Sequence, residues 1–197
     1  MTDKPDLAAL LGSRICHDLI SPIGAIGNGV ELLMMGGSAQ GPEMALIADS
    51  VANASARIRF FRVAFGIASQ DQRMARTEIA GIMADLTLGG RITIDWAGPT
   101  DVARREAKLL FLLVMCMESA LPFGGRIAVA HDDRWVMTAT SPKLKIDTAL
   151  WDVLLNPADA QGLTPAQVHF ALVPEELRRQ ERRMTTELSA DAIRLMV

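Results

Sequence analysis

Residues 14–28 read RICHDLISPIGAIGN and lie inside the pattern that decides the fold of the N-terminal part of the chain. Around this stretch, apolar residues recur at steps of three and four, which is the spacing of one side of an α-helix. The stripe consists of Leu7, Leu11, Ile15, Leu19, Pro22, Ile26, Val30 and Leu33. The pattern predicts a single long helix that begins near Pro5 and ends near Met35.

A second helix is predicted after the turn-forming run GGSAQGP at residues 36–42. Its stripe alternates spacings of four and three, as in helical bundles, and consists of Ile47, Val51, Ala54, Ile58, Phe61 and Phe65. The two helices are expected to form an antiparallel hairpin, which by itself leaves both stripes half uncovered. Either the rest of the chain or a second copy covers them, and we favour a homodimer that closes a four-helix bundle.

The domain interpretation follows from these patterns. Residues 1–70 form a helical dimerisation domain, and residues 71–197 form a second domain in which helices and strands alternate, with residues 66–76 as a linker between them. Helices are predicted at 77–88 with Thr77 as the cap, at 101–121, near 148–155 and from Thr164–Pro165 onward. Strands are predicted at 91–96, 126–130, 134–139, 183–188 and 192–197, with Asp132 and Asp133 in a turn. The fold class is α+β: a helical hairpin followed by an α/β sandwich.

The composition excludes several classes of protein. The chain has 197 residues, 50% of them hydrophobic, and 20 Lys and Arg against 23 Asp and Glu, which excludes a disordered chain and does not indicate nucleic-acid binding. The longest apolar run, residues 109–117, is far shorter than the about 20 residues of a membrane-spanning helix. An acidic N-terminus unlike a signal peptide suggests a cytoplasmic protein. Cys16 and Cys116 have no partner at metal-ligand spacing, so we expect neither a zinc site nor a disulfide.

The most informative residue of the first helix is His17. At 100° per residue it lies about 200° from Ile15, so it should point away from the apolar stripe and toward solvent. The face around it is polar and small, and consists of Ser13, Arg14, Ile20, Ser21, Gly24, Asn28 and Glu31. Such a face is typical of a surface that another molecule approaches.

Helix propensity gives an independent argument for a functional site. Pro22 inside a helix costs about 3 kcal/mol, and Gly24, Gly27 and Gly29 cost about 1 kcal/mol each relative to alanine. Local violations of this size are usually found at functional sites. A neutral imidazole is a nucleophile near pH 7, so His17 is a candidate phosphoryl acceptor, and Asp18 could hold its tautomer or accept a proton. The alternative is an ordinary surface histidine on a kinked helix.

These residues resemble a known family. The segment HDLISP at residues 17–22 resembles the H-box of histidine kinases, in which the phospho-accepting histidine is followed by an acid and, five residues on, by proline. More specifically, CHDLISPIGAI at residues 16–26 with GVELL at 29–33 is similar to the ChpT-type histidine phosphotransferases of alphaproteobacteria. Beyond this motif, the agreement is mainly in the order of the elements.

The resemblance implies both an architecture and a function. Members of that family are dimers with a central four-helix bundle and a C-terminal domain that resembles a degenerate kinase ATPase domain. They carry phosphate from the receiver domain of a hybrid histidine kinase to response regulators in a cell-cycle relay. On this basis His17 is expected to be the phosphoryl acceptor, and Asp18 its acidic companion.

The sequence of the second domain indicates whether the chain could instead be an active kinase. Residues 108–125 resemble the helix that carries the N-box of GHKL ATPases, where two asparagines four residues apart bind magnesium and phosphates; the matching positions are Met115 and Ser119. A thioether is unsuited to Mg²⁺, which takes oxygen ligands. The sequence also lacks the Asp-x-Gly-x-Gly box for adenine, and Gly124 and Gly125 have a simpler interpretation as a turn. We therefore expect no ATP or metal cofactor, with Mg²⁺ supplied by the partner receiver domain.

Other candidates are weaker. His131 and His169 have no convincing partner and are interpreted as structural residues. Arg57, Arg59 and Arg62 lie on the second helix, which should pass His17 near residue 60, so they either meet an acidic receiver or form a solvated face. The residues assigned to partner binding are Arg14, Ser21, Gly24, Gly27, Asn28 and Arg59. The basic run RRQERR at 178–183 is interrupted by an acid and is interpreted as a solvated helix end.

Three functional hypotheses follow. The favoured one is a cytoplasmic histidine phosphotransferase that works with receiver domains and binds neither nucleic acid nor membrane. The second is an autophosphorylating histidine kinase, which requires ATP. The third is a structural dimerisation module without phosphate chemistry, which predicts that His17 is buried against the C-terminal domain.

Overall fold

The structure is a computed structural model that describes residues 6–36, 42–69, 71–156 and 162–197. The helices are α1 (Leu7–Gly36), α2 (Pro42–Ala64), α3 (Arg76–Thr87), α4 (Arg104–Ser119), α5 (Thr148–Val153) and α6 (Val168–Arg179), with a 3₁₀ turn at Pro165–Gln167. The strands are β1 (Arg73–Ala75), β2 (Ile92–Ala97), β3 (Asp101–Ala103), β4 (Gly125–His131), β5 (Trp135–Thr140), β6 (Thr185–Leu188) and β7 (Ala192–Met196).

Helices α1 and α2 form the predicted hairpin. They run antiparallel, since Asp18 near the start of α1 lies beside Arg57 near the end of α2, while Gly29 lies beside Ile47. A Cβ atom at Gly29 would lie 2.5 Å from the Ile47 Cγ1 atom, so the missing side chain allows the two helices to approach closely. The turn predicted between them falls mostly on residues 37–41, which lie outside the described residues.

The C-terminal part contains a mixed sheet with the strand order β2-β4-β5-β7-β6. Strands β2 and β4 are parallel, and the other neighbours are antiparallel. Helix α4 lies in the core: every side chain from Leu109 to Met117 is buried. A helix that is apolar on all sides must be surrounded, and α4 contacts both α2 and α6. The α+β prediction, a hairpin followed by a sheet with helices, is confirmed.

Three predictions about residues 66–104 are wrong. The segment interpreted as a linker contains β1, which pairs antiparallel with β3 and buries Met74 and Val102. Each strand has three residues, which is too short for a period of two to be recognised. Helix α4 consequently begins at Arg104 and not at Asp101, because Asp101–Ala103 forms β3. Thr77 does not cap α3, whose N-cap is Ala75 without a side-chain hydrogen bond.

The remaining elements lie close to their predicted positions. Strands β4 and β5 are joined at Asp132 and Asp133, as expected. The predicted helix start at Thr164 is a 3₁₀ turn that leads into α6, and both the N–H and the hydroxyl of Thr164 donate to Gln167 Oε1. Within the described ranges, no helix is long and apolar enough to cross a membrane.

Candidate functional site

His17 lies on the exposed side of α1, where the helical pattern predicts it. Its side chain is 84% exposed, and its Nδ1 atom lies 3.1 Å from Asp18 Oδ1. The neighbouring Asp18 side chain is only 8% exposed. The two residues therefore combine a ring that faces solvent with a carboxylate that is held inside the protein.

Two arginines surround the Asp18 carboxylate. Arg14 Nε donates a hydrogen bond of 2.8 Å to Asp18 Oδ2, and Arg57 Nη1 lies 3.7 Å from the same oxygen. Arg57 Nε in turn donates to Asn53 Oδ1 over 3.1 Å. A carboxylate with so little exposure needs opposite charges and hydrogen bonds to offset its lost hydration. These contacts hold Asp18 in one orientation, with Oδ1 left for His17.

This geometry defines the tautomer of His17. A carboxylate only accepts hydrogen bonds, so the proton between Asp18 and the ring belongs to Nδ1 of His17. The neutral ring then carries its free lone pair on Nε2, which makes Nε2 the nucleophilic atom. The site therefore presents a nucleophile on an exposed ring whose opposite nitrogen is anchored by an acid.

His17, Asp18, Arg14 and Arg57 form what we call the Asp18 cluster. A contact with the C-terminal part of the chain completes this cluster. Arg14 Nη1 donates to the carbonyl oxygen of Ala166 over 2.8 Å, and Ala166 lies in the 3₁₀ turn before α6. The same guanidinium thus holds Asp18 and binds the other half of the molecule. The i,i+4 spacing of Arg14 and Asp18 is visible in the sequence. Nothing in the sequence indicates Ala166, which is separated from Arg14 by 152 positions.

The residues predicted to bind a partner are found in two places. Ser21, Gly24, Gly27 and Asn28 are exposed on α1, and a Cβ atom built at Gly24 or Gly27 would have no neighbour within 4 Å. Arg59 instead pairs with Asp85 of α3 over 2.8 Å. The arginine of α2 that reaches the Asp18 cluster is Arg57. The assignment of these residues, and of Arg14, to partner binding stays a prediction.

A cavity of 500 Å³ lies beside the cluster and shares Arg14 and Arg57 with it. Met115 and Ser119, the positions matched to the N-box asparagines, both line it, and the Ser119 hydroxyl donates to the Cys116 carbonyl over 2.6 Å. Among the described residues, no group of three or more His, Cys, Asp or Glu side chains is placed to hold a metal ion.

The cavity also contains two ionisable groups whose pKa values are shifted. Burial raises the pKa of Glu118 to about 7; Arg57 and Arg14 oppose this shift, and Asp18 adds to it. Burial lowers the pKa of His169 to about 3, with a further contribution from Arg14. Sequence analysis missed Glu118 and interpreted His169 as structural, because neither residue has a local pattern that reports its tertiary surroundings.

Comparisons with known proteins identify the family. Residues 76–192, more than half of the chain, match the family described as "Histidine phosphotransferase C-terminal domain". The chain therefore belongs to the histidine phosphotransferase family. It is 39% identical over 172 residues to "Protein phosphotransferase ChpT" of Brucella abortus (strain 2308), an alignment that covers 81% of this chain and 82% of the relative.

A solved structure supports the same assignment. The chain superposes with a TM-score of 0.81 on the "1.7 Angstrom Structure of a Bacterial Phosphotransferase", at 30% identity, with 100% of this chain and 97% of that chain covered. The predicted resemblance to ChpT-type phosphotransferases is confirmed. So is the predicted general function, that of a histidine phosphotransferase in a two-component phosphorelay.

Proposed function

We propose that His17 accepts a phosphoryl group from the aspartyl phosphate of a receiver domain in a hybrid histidine kinase. The phosphohistidine then passes the group to the aspartate of a response regulator. The observation that carries this proposal is the exposed His17 ring, whose Nδ1 is held by the nearly buried Asp18 while Nε2 has no hydrogen-bond partner among the described residues. This arrangement leaves an incoming phosphoryl group unobstructed access to the nucleophile.

The proposed transfer is a displacement at phosphorus. The Nε2 lone pair of His17 forms the new N–P bond while the P–O bond to the receiver aspartate breaks, and the departing carboxylate keeps that electron pair. Nδ1 retains its proton, so the phosphorylated ring is positively charged next to Asp18, whose carboxylate stabilises it. The second transfer reverses these steps toward another aspartate. Positioning and electrostatics provide most of the catalysis in such a transfer, and the receiver domain brings the Mg²⁺.

In this mechanism Arg14 is a positioning residue, since it touches Asp18 and Ala166 rather than the phosphoryl group. Replacing Arg14 with Gln should slow phosphoryl transfer by about 10- to 100-fold, because a small displacement of a reacting group has effects of that size. The ¹⁵N signals of His17 should also report a mixture of tautomers. The exposed Arg183→Gln is the matched control. Unchanged tautomer signals in Arg14→Gln would contradict this role.

The docking surface proposed for the receiver domain is the small-residue face around His17. Ser21, Gly24 and Asn28 are exposed there, and the glycine leaves room for an approaching backbone. Arg14, Gly27 and Arg59 complete the proposed surface. The receivers met at this surface belong to the donor kinase and to the response regulators, and the proposed location of the exchange is the cytoplasm.

The hairpin also supports a homodimer. Large apolar side chains are exposed along both of its helices: Ile20, Ile23, Val30, Leu32, Met34 and Met35 on α1, and Met44, Leu46, Val51 and Ile58 on α2. Exposed apolar surface of this extent marks an interaction site, and a second hairpin would complete a four-helix bundle. Val30→Glu should therefore convert the dimer to a monomer in light scattering. Leu88→Glu, at an exposed leucine outside the hairpin, should not; equal masses for both variants would contradict the bundle.

The proposal includes the absence of ATP-dependent autokinase activity. The positions that would hold Mg²⁺ and phosphate in a kinase present a thioether at Met115 and a hydroxyl at Ser119 that is already bonded to a carbonyl. The kinase alternative predicts phosphorylation from Mg²⁺–ATP alone. The structural-module alternative predicts a buried His17, and the exposure of its ring argues against that hypothesis.

The deciding experiment uses a receiver domain that carries a radiolabelled phosphoryl group. Wild-type protein should take up a label that is labile in acid and stable in base. His17→Ala should take up none, with folding checked by circular dichroism, whereas His131→Ala, at another exposed histidine, should be labelled like wild type. A label of the same lability on His17→Ala would contradict the assignment. Incubation with Mg²⁺–ATP in place of the receiver tests the kinase alternative.

A further inference from the structure

Glu118 of α4 is an ionisable side chain that the proposed mechanism does not use. It is half-buried in the wall of the cavity beside the Asp18 cluster, and it shares this wall with Arg14 of α1 and Arg57 of α2. Its carboxyl group forms no ion pair within the described residues. Glu118 therefore brings a charge from the C-terminal half of the molecule next to the two arginines of the hairpin without binding either of them.

Both arginines are already engaged with Asp18. Arg14 Nε donates to Asp18 Oδ2 over 2.8 Å, and Arg57 Nη1 lies 3.7 Å from the same oxygen. Burial raises the pKa of Glu118 to about 7; Arg57 and then Arg14 oppose the shift, and Asp18 adds to it. Glu118 and Asp18 thus lie in the field of the same two cations. When Glu118 is ionised, the charges of these four groups cancel, and when it is neutral, one positive charge remains.

The other titratable groups in the cavity wall do not take this role. They are Lys145 and Asp147 from the segment before α5, and His169 from α6. Lys145 and Asp147 carry opposite charges. Burial lowers the pKa of His169 to about 3, so its ring is neutral at neutral pH. Glu118, in contrast, changes its charge close to neutral pH, within the field of the Asp18 cluster.

We propose that Glu118 is a positioning residue for the phosphoryl transfer at His17 and acts through the two arginines that hold Asp18. This inference rests on the proposed function of His17. The phosphoryl group brings about two negative charges, and the phosphorylated ring is positively charged, so the cluster gains about one negative charge. A neutral Glu118 leaves the positive charge of the arginines in excess, which favours the phosphohistidine, and an ionised Glu118 cancels that excess. By linkage, phosphorylation of His17 favours uptake of a proton from solvent by Glu118.

The test measures the equilibrium of phosphoryl transfer from a phosphorylated receiver domain to the full-length chain between pH 6 and pH 8. Glu118→Gln fixes the neutral form. At pH 6 its equilibrium constant should be close to that of wild type, and at pH 8 it should be about threefold larger, which is the effect of one partly screened charge. The ratio of variant to wild type at each pH removes the pH dependence of the receiver and of His17. Glu187→Gln, at an exposed glutamate of β6, should equal wild type throughout.

The pH dependence of this ratio separates an electrostatic role from a structural one. A structural effect of the substitution changes transfer by the same factor at every pH, so a constant ratio of Glu118→Gln to wild type would overturn the proposal. A ratio that falls as the pH rises would also overturn it. If wild type accepts no phosphoryl group at any pH, the proposed function of His17 fails, and this inference fails with it.

A second measurement uses wild type alone and decides the question even if Glu118→Gln does not fold. The side-chain carboxyl signal of Glu118 is followed by ¹³C NMR during a pH titration, before and after phosphorylation of His17 by a receiver domain with an acyl phosphate as the phosphoryl source. Because the coupling is reciprocal, a threefold effect on transfer should raise the midpoint of the Glu118 titration by about half a pH unit. An unchanged midpoint in the phosphorylated chain would overturn the proposal.

Discussion

The helical hairpin and the C-terminal half of the molecule differ in how far their large apolar side chains are buried. In the hairpin, large side chains such as Ile23 and Met34 remain exposed, whereas in the C-terminal half the apolar run of α4 is enclosed on all sides. The histidines differ in the same sense: His17 is exposed and has a partner, whereas His169 is buried and has none in the described residues. The core of the C-terminal half also includes Phe60, Phe61, Val63 and Ala64 from the end of α2. The proposed phosphoryl transfer and dimerisation both depend on surface that the hairpin leaves exposed.

The largest expected effect is the loss of stability when a buried side chain of α4 is shortened, and it tests the difference in burial between the two halves. Leu112→Ala removes a fully buried side chain of α4 and should lower the free energy of unfolding by about 2–5 kcal/mol. Ser21→Ala, at an exposed position of α1 outside the proposed apolar dimer surface, should change it by less than about 0.5 kcal/mol. Urea unfolding at one protein concentration measures both. Comparable losses would mean that the hairpin is packed as tightly as the core.

The next largest effect is the pH dependence of the folding stability that Glu118 of α4 causes. Because burial raises the pKa of Glu118 from 4.5 to about 7, the native state binds a proton that the unfolded chain has lost between these pH values. The stabilising contribution is complete below pH 4.5 and disappears as the pH rises through 7. Relative to Glu118→Gln, wild type should therefore lose about 3 kcal/mol of stability across this range.

Unfolding curves measured at several pH values provide this comparison. Glu187→Gln, at an exposed glutamate of β6, is the matched control for the substitution itself. If Glu118→Gln and wild type change in parallel between pH 4.5 and 7, Glu118 does not hold the additional proton.

The smallest effect compares two glycines within the hairpin. Gly24 has open space where a side chain would be, so Gly24→Ala should stabilise α1 by up to about 1 kcal/mol through helix propensity. Gly29→Ala should be destabilising, because its Cβ atom would lie 2.5 Å from Ile47. Thermal unfolding measures both variants. If Gly24→Ala is also slower in phosphoryl transfer, Gly24 belongs to the docking face; transfer at the wild-type rate would remove it from that face.

The candidate site could be predicted where its residues are close in sequence. The exposure of His17 follows from the 3.6-residue period of α1, and the pairing of Arg14 with Asp18 follows from their separation by one turn. Which arginine of α2 contacts Asp18, Arg57 or Arg59, could not be predicted in this way. It depends on the register of two helices joined by a turn, and one residue of change in that register turns a side chain by about 100°.

The sequence by itself determined the hairpin, the α+β class and the identity of the exposed histidine, because each depends on local periodicity or on a contiguous motif. Tertiary structure alone decided the pairing of β1 with β3, the contact of Arg14 with Ala166 and the surroundings of Glu118 and His169. These features depend on groups far apart in the chain. Burial, which shifts a pKa or leaves a ring nitrogen without a partner, is a property of the packed molecule and not of any segment in it.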